Sequence, residues 1–483
     1  MSVLSIENFG FDDGAEETEV LDVFSPLNNT RLATVPRSGY AQVDKAVAAA
    51  QKAFVDWSKK SVKERVQVMF RYRELLVRDK EILSDSICRE SGKIPDEAIA
   101  EIDKSIELAE FACSIPQMIP NEVLTVSTGI QCNSEHLPLG VVASITPFNF
   151  PAMVPHWTIL NAIVLGNCMI LKPSEKVPVT ANMIAHLLEE AGLPKGVFNI
   201  VHGDRQVAES ICDHPGIAAV TFVGSTKVAR QVYKRATGNL KRCLALGGAK
   251  NHLIVFPDAI EDMTAKNIVA SMSGCAGQRC MAASAMIAIG PVDHIIAGIC
   301  AEARKLIPGK NLGAVISAES KARIENYITQ AEEAGAQVLV DGRNVTVEGN
   351  EDGFYLGPTV IDNVTPEMAI AKDEVFGPVI CIMHTKNIEQ AMEIENRNPY
   401  GNATSVFTQN GALARRVVES ATSGMIGINV GVPVPREPFS FGGWKESKYG
   451  SGDITGKSSI GFWTQLRKTT VKWNPQSGAD WMS

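Results

Sequence analysis

The sequence contains no CxxC pair and no cysteine–histidine cluster at metal-ligand spacing, although it has ten cysteines. Scattered through 483 residues, they read as free thiols in a reducing compartment, and neither a disulfide frame nor a metal site is expected. No apolar run approaches the ~20 residues of a membrane span, and the acidic N-terminal stretch MSVLSIENFGFDDGAEETEV lacks the apolar centre of a signal peptide. A cytoplasmic location is expected, or the mitochondrial matrix if a transit segment has been removed. Basic excess is also missing. A formal charge of -8 at pH 7 leaves no footprint for nucleic acid or an anionic membrane, so the expected partners are small molecules. Repeats and low-complexity linkers are absent as well. What remains is an ordinary globular composition, long enough for two or three domains.

Residues 41–104 carry apolar residues at three- and four-residue spacing with charges between them, which predicts a helical flank. Residues 121–139, NEVLTVSTGIQCNSEHLPL, change to a β-branched, alternating texture that suits a projecting hairpin or a surface loop. Short apolar runs then alternate with helical stretches: GVVASITPF, NCMILKP, GVFNIVHG and AAVTFVG, with TANMIAHLLEEAG and TKVARQVYKRATG among the helices. A second alternation starts near Asn251 with NHLIVFPDA and continues to GMIGINV. The pattern predicts two α/β domains, each with a parallel sheet covered by helices. The C-terminal stretch FWTQLRKTTVKW reads as a strand suited to pairing between subunits.

Four stretches carry chemistry. In SMSGCAGQRCMAAS, residues 271–284, Cys280 follows Arg279, and a neighbouring guanidinium favours the thiolate that attacks electrophiles. The small residues around it allow close approach of a substrate, whereas a cysteine such as Cys275 also suits simple packing. In SITPFNFPAMVPHW, Asn149 lies among phenylalanines and prolines that would fix its amide as a donor to an oxyanion, or in a turn. NCMILKPSEKVP ends a buried strand in Lys172, followed by Glu175, a pairing able to hold ribose hydroxyls or simply to be solvated. At Gly224 and Ser225 a strand gives way to a helix, the arrangement that offers N–H groups to a phosphate.

Taken in order, PFNFP around Asn149, LKPSE at 171–175, FVGS at 222–225, GQRC at 277–280, EVFGPV at 374–379 and the later SFGGWKES closely resemble the aldehyde dehydrogenase superfamily. The resemblance runs from roughly Val23 to Trp473. It implies a Rossmann-like NAD-binding domain from residues 1–120 and 140–251, an α/β catalytic domain from 252–440, and a small β arm from 121–139 and 459–483 that joins subunits into a homodimer or homotetramer. By the same resemblance Cys280 is the nucleophile, and Asn149 with the Cys280 backbone N–H forms the oxyanion hole. NAD is then held by Thr146, Phe148, Lys172, Glu175, Gly224, Ser225, Glu374 and Phe376.

Two departures refine this expectation. Hydrolytic members carry a glutamate in E-L-G-G-K that activates water against the thioester, whereas CLALGGAKNH places Ala245 or Leu246 there, neither of which is a base. That loss resembles the CoA-acylating, methylmalonate-semialdehyde branch, in which coenzyme A takes the acyl group as a thiol nucleophile. Where the substrate bears a β-carboxylate, carbon dioxide can leave first, because the thioester carbonyl accepts the released electrons. The branch grips the substrate carboxylate with the arginine at Arg279 and a second arginine, whose place is taken here by Lys104. A lysine supplies charge without a bidentate fork. The competing readings are a hydrolytic semialdehyde dehydrogenase, of succinate-semialdehyde type, that recruits another base, and a non-catalytic protein on the same fold.

Overall fold

The computed structural model describes residues 3–14 and 19–473. The first sheet has the spatial order Lys448–Tyr449, Arg242–Leu246, Ala219–Val223, Val141–Ile145, Cys168–Lys172 and Phe198–Ile200. All neighbours are parallel except the short outer strand Lys448–Tyr449. The chain proceeds outward from Val141–Ile145 in one direction, then returns to place Ala219–Val223 on its other side. That reversal opens a crevice beyond the carboxyl ends of the strands, where open α/β sheets bind ligands. The inner strands are apolar on both faces because helices cover both. A side chain such as Leu171, fully buried there, contributes about 1.5–3 kcal/mol.

The chain changes sheets between Leu246 and Asn251. The second sheet runs Gln337–Val340, Thr359–Asp362, Val379–Thr385, Ala283–Ile289, Asn251–Val255, Ala403–Phe407 and Met425–Ile428, parallel except for its first pair. The predicted helical flank is four helices, Tyr40–Trp57, Val62–Arg78, Lys80–Ser91 and Pro95–Ser114. Local chemistry sets the breaks: Ser61 and Glu64 form a reciprocal capping box, and Gly92 ends the third helix at φ 80°.

The hairpin is present as Glu122–Ser127 and Ile130–Pro138, and Thr464–Lys472 pairs with its second strand. Every residue of Glu122–Ser127 is exposed. Phe462 and Trp463 depart from the expected strand: they close a short helix, Ser459–Trp463, and are buried in the main core. Their burial is what ends the helix inside the body and lets the strand leave it at Thr464. The last part of the expected arm, residues 474–483, lies outside the described residues. A three-stranded N-terminal sheet of Leu4–Ser5, Arg31–Pro36 and Val20–Phe24 and a short pair, Tyr400–Gly401 with Trp444–Lys445, are also present. Among the described residues no helix is long and apolar enough to cross a membrane.

Candidate active site

A cavity of about 610 Å³ lies between the two sheets' loops. It is lined by Thr146, Phe148, Asn149, Lys172, Glu175, Gly224, Ser225, Cys280, Glu374 and Phe376, so residues up to 230 positions apart in sequence converge on it. One end is built from the edge of the first sheet. Lys172 closes the strand Cys168–Lys172, and its ammonium donates to the Pro173 carbonyl at 2.9 Å and to Glu175 at 3.2 Å. Across the switch point, Ser225 begins the helix Thr226–Gly238 in an extended conformation, and its hydroxyl caps none of the helix's N–H groups. Those donors, with the positive end of the helix dipole, suit a phosphate. Thr146 adds a buried hydroxyl with no partner on the cavity wall. An unsatisfied hydroxyl and an uncapped helix start are what a dinucleotide would complete, so the residues fit NAD.

The other end is assembled by side-chain amides. Asn251, the first residue of a second-sheet strand, and Asn402, just before the strand Ala403–Phe407, donate to the Cys280 carbonyl at 2.7 and 2.8 Å. Asn149 spends one N–H on the Gln278 carbonyl at 2.9 Å and keeps the other for a ligand. Gln278 in turn donates to the carbonyls of Cys275 and Ala314 and accepts from Ile316 N–H at 2.9 Å. Cys275 and Ala276 sit at φ 54° and 52°, a left-handed conformation that side chains disfavour, just before Gly277 at φ 73°. Gly277 cannot be replaced: an added Cβ would lie 2.0 Å from the Gly377 carbonyl oxygen, where the nucleophile loop meets the loop carrying Glu374 and Phe376. Phe376 is itself held at φ 55° and meets Phe148 edge to face.

The electrostatics run against the expectation drawn from Arg279. Burial, reinforced by the charge of Glu374, pushes the Cys280 thiol up to about 12, while Arg279 and the N–H groups of Cys280 and Met281 pull it down by less. The guanidinium instead donates to the carbonyls of Ala270 and Ser271 at 2.8 and 2.9 Å. The neighbour in sequence anchors the loop more than it ionises the thiol. Burial also raises Glu374 to about 7, opposed by the Ala249 N–H, which donates to it at 3.1 Å, and by Lys250 and Arg323.

Neither Arg279 nor Lys104 lines the cavity. Lys104 lies on the helix Pro95–Ser114, its ammonium paired with Glu107 at 3.0 Å and Glu437 at 2.5 Å. Ala245 and Leu246 are buried within the strand Arg242–Leu246. Cys275 is buried too, in keeping with packing. Among the described residues no group of three or more histidine, cysteine or acidic side chains is placed to hold a metal. Gln278, Asn251, Asn402 and Arg323 also serve this end of the cavity without a signal of their own in the sequence. Gln278 and Asn251 stood inside motifs already singled out, GQRC and GAKNH, but nothing local marks Asn402 in GNATSVF.

The pattern of the aldehyde dehydrogenase family matches residues 13–469. The malonate-semialdehyde dehydrogenase 1 of Geobacillus thermodenitrificans is 41% identical over 458 residues, covering 93% of this chain and 94% of the relative. The malonate-semialdehyde dehydrogenase of Pseudomonas aeruginosa is 39% identical, covering 95% and 94%. Among solved structures, the methylmalonate-semialdehyde dehydrogenase of Oceanimonas doudoroffii superposes with a TM-score of 0.96 at 39% identity, over 98% of this chain and 99% of that one. A Sinorhizobium meliloti structure of the same designation, complexed with NAD, gives 0.95 at 36% identity over 98% and 99%. With matches of this length on both sequence and backbone, the chain belongs to the aldehyde dehydrogenase family.

Proposed function

We propose that the protein oxidises a small carboxylated aldehyde, of malonate- or methylmalonate-semialdehyde type, with NAD as oxidant and coenzyme A as acyl acceptor. The observation that carries this reading is the placing of Cys280 and Asn149 at one end of a cavity whose other end is an uncapped helix start. NAD supplies the hydride acceptor when bound. Lys172 and Glu175 would hold its ribose, Gly224 and Ser225 its pyrophosphate, Thr146 and Phe148 would line its path, and Glu374 and Phe376 would set the nicotinamide end.

Once its proton has passed to solvent, the Cys280 sulfur attacks the aldehyde carbon, forming a C–S bond as the carbonyl π pair moves onto oxygen, which becomes negative. The free N–H of Asn149 and the Cys280 backbone N–H stabilise that charge, and a well-placed donor of this kind is worth about 3 kcal/mol. Loss of hydride then leaves a thioester on Cys280. Ala245 and Leu246 offer water no base, so an attacking thiolate from coenzyme A is the acceptor that needs none. Arg279 would serve the substrate carboxylate by its charge, and Lys104 only by exchange with Glu437. The same reading includes a reducing, cytoplasmic setting and a homodimer or homotetramer joined through the exposed strand Glu122–Ser127 and its sheet.

One observation favours a second reading. Glu374 is a carboxyl raised to about 7 in the cavity that holds Cys280, and a group so poised suits general-base hydrolysis. Rapid mixing of enzyme, NAD and semialdehyde separates the two. Acyl transfer to coenzyme A predicts a single burst of NADH, one per active site, followed by a slow phase that coenzyme A accelerates. Sustained turnover in water alone, lost in Glu374→Gln, would establish hydrolysis instead.

A further inference from the structure

The helix Pro95–Ser114 is tied to both loops that meet at the thiol end of the cavity. Glu97, on its first turn, accepts from the Cys275 N–H at 2.6 Å, at the start of the left-handed turn that leads to Cys280. One turn along the same face, Glu101 accepts from the N–H groups of Ala152 and Met153 at 2.8 and 3.0 Å. It thereby caps the helix Met153–Val164, which has no side-chain cap of its own and follows directly on the Asn149 loop. The other Glu101 oxygen is ion-paired with Lys93, and the two side chains are 0% and 3% exposed. Lys93 completes the connection by placing its ammonium 3.9 Å from the centre of the Phe150 ring, next to Asn149. The two loops then meet directly, through the Asn149 amide on the Gln278 carbonyl and the Gln278 amide on the Cys275 carbonyl. The result is a closed circuit of contacts from Cys275 through the helix to Phe150 and back.

None of these charged groups lines the cavity, so none touches substrate or cofactor. Stability is a poor explanation for them, because a buried ion pair gains little over apolar residues of equal size. What the circuit does fix is position: Glu97 holds a backbone turn that would otherwise relax from its disfavoured φ, and Glu101 with Lys93 holds the opposite loop.

We propose that Lys93, Glu97 and Glu101 are positioning residues that set the separation between the Cys280 sulfur and the Asn149 amide. The proposal rests on the reading of Cys280 as nucleophile and Asn149 as oxyanion donor. Glu97 carries the test, because it is partly exposed, whereas removing Glu101 would strand the buried Lys93 cation. The measurement is the rate of the single-turnover NADH burst at saturating NAD and aldehyde, beside the NAD dissociation constant. Glu97→Ala is expected to slow the burst about 10- to 100-fold, the scale set by misplacing reacting groups by about 1 Å, with NAD affinity unchanged. Glu97→Gln, whose amide oxygen still accepts from Cys275 N–H, is expected to restore most of the rate. A wild-type burst rate in Glu97→Ala, an equally slow Glu97→Gln, or NAD affinity falling in step with rate would each overturn the proposal. Cys280→Ala, run alongside, tells the two failures apart: a persisting burst there would sink the nucleophile assignment itself.

Discussion

The two ends of the cavity are built by different means. At the Lys172 end, functional groups stand at the ends of regular elements, a strand terminus and a helix start, and their positions follow from the first sheet. At the Cys280 end they stand on irregular backbone, with Cys275, Ala276 and Phe376 all left-handed, and are held by Gln278, Asn251 and Asn402. A binding end can rely on backbone dipoles, which tolerate small shifts. A reacting end needs sub-ångström placement, and side-chain amides supply it from several directions.

The largest expected effect tests whether the second end is the reacting one. Cys280→Ala should lower aldehyde oxidation by at least ~10³-fold, as loss of a covalent nucleophile does, while NAD still binds; Cys275→Ala should stay active. Steady-state NADH formation and NAD titration check both, and a tenth of wild-type turnover in Cys280→Ala would end the comparison. Next, Asn149→Ala should cost ~10²–10³ in kcat with little change in NAD affinity, the size found for a single oxyanion donor. A loss confined to KM would move Asn149 to the binding end.

This division also explains what was legible in the sequence. The strand ending in Lys172 and the turn at Gly224 are local patterns, so their neighbours within a dozen residues disclose them. Arg279 marks Cys280 as a candidate, yet the sequence does not disclose the burial that raises the thiol or the charge of Glu374, 94 positions away, that adds to it. Contacts such as Glu97 to Cys275 or Asn402 to Cys280 span 178 and 122 residues, and no periodicity or spacing encodes them. The strand boundary at Thr464 is illegible for a similar reason, since Phe462 and Trp463 look like strand residues until the core that buries them is known.

A smaller effect concerns Lys104, a cation that does not line the cavity. Lys104 is shared between Glu107 and Glu437, so a substrate carboxylate would have to compete with two carboxylates already in place. Lys104→Ala should therefore raise KM for a semialdehyde only about 2- to 5-fold, below the tenfold that removing a free, buried partner would give. An uncharged aldehyde of similar size should be unaffected. Parallel KM measurements on the two substrates decide it, and equal changes in both would remove Lys104 from substrate recognition. At the other end, Glu175 should make NADP the poorer cofactor by repelling its 2′-phosphate. With Lys172 3.2 Å from that carboxylate, the preference should be modest, and Glu175→Gln should narrow the ratio of kcat/KM for the two cofactors.

The smallest effect sits where the two ends meet, at Glu374. Its carboxyl is raised to about 7 because burial penalises the charged form more than the Ala249 N–H, Lys250 and Arg323 favour it. The sign then follows in two directions as pH rises through 7. At the nicotinamide end proposed for it, a carboxylate accepts hydrogen bonds from the hydroxyls of the ribose on that side and a neutral carboxyl does so less well, so NAD should bind tighter above pH 7 than below. The same new charge opposes ionisation of Cys280, whose thiol Glu374 already helps to push up to about 12. Glu374→Gln should therefore flatten the dependence of the NAD dissociation constant on pH between about 6 and 8, and should speed alkylation of Cys280 at mildly alkaline pH. Fluorescence titration with NAD and iodoacetamide labelling measure the two consequences independently. If the variant kept the wild-type pH step in NAD affinity, Glu374 would not be the titrating group, and the binding and reacting ends would lack the electrostatic link assigned to them here.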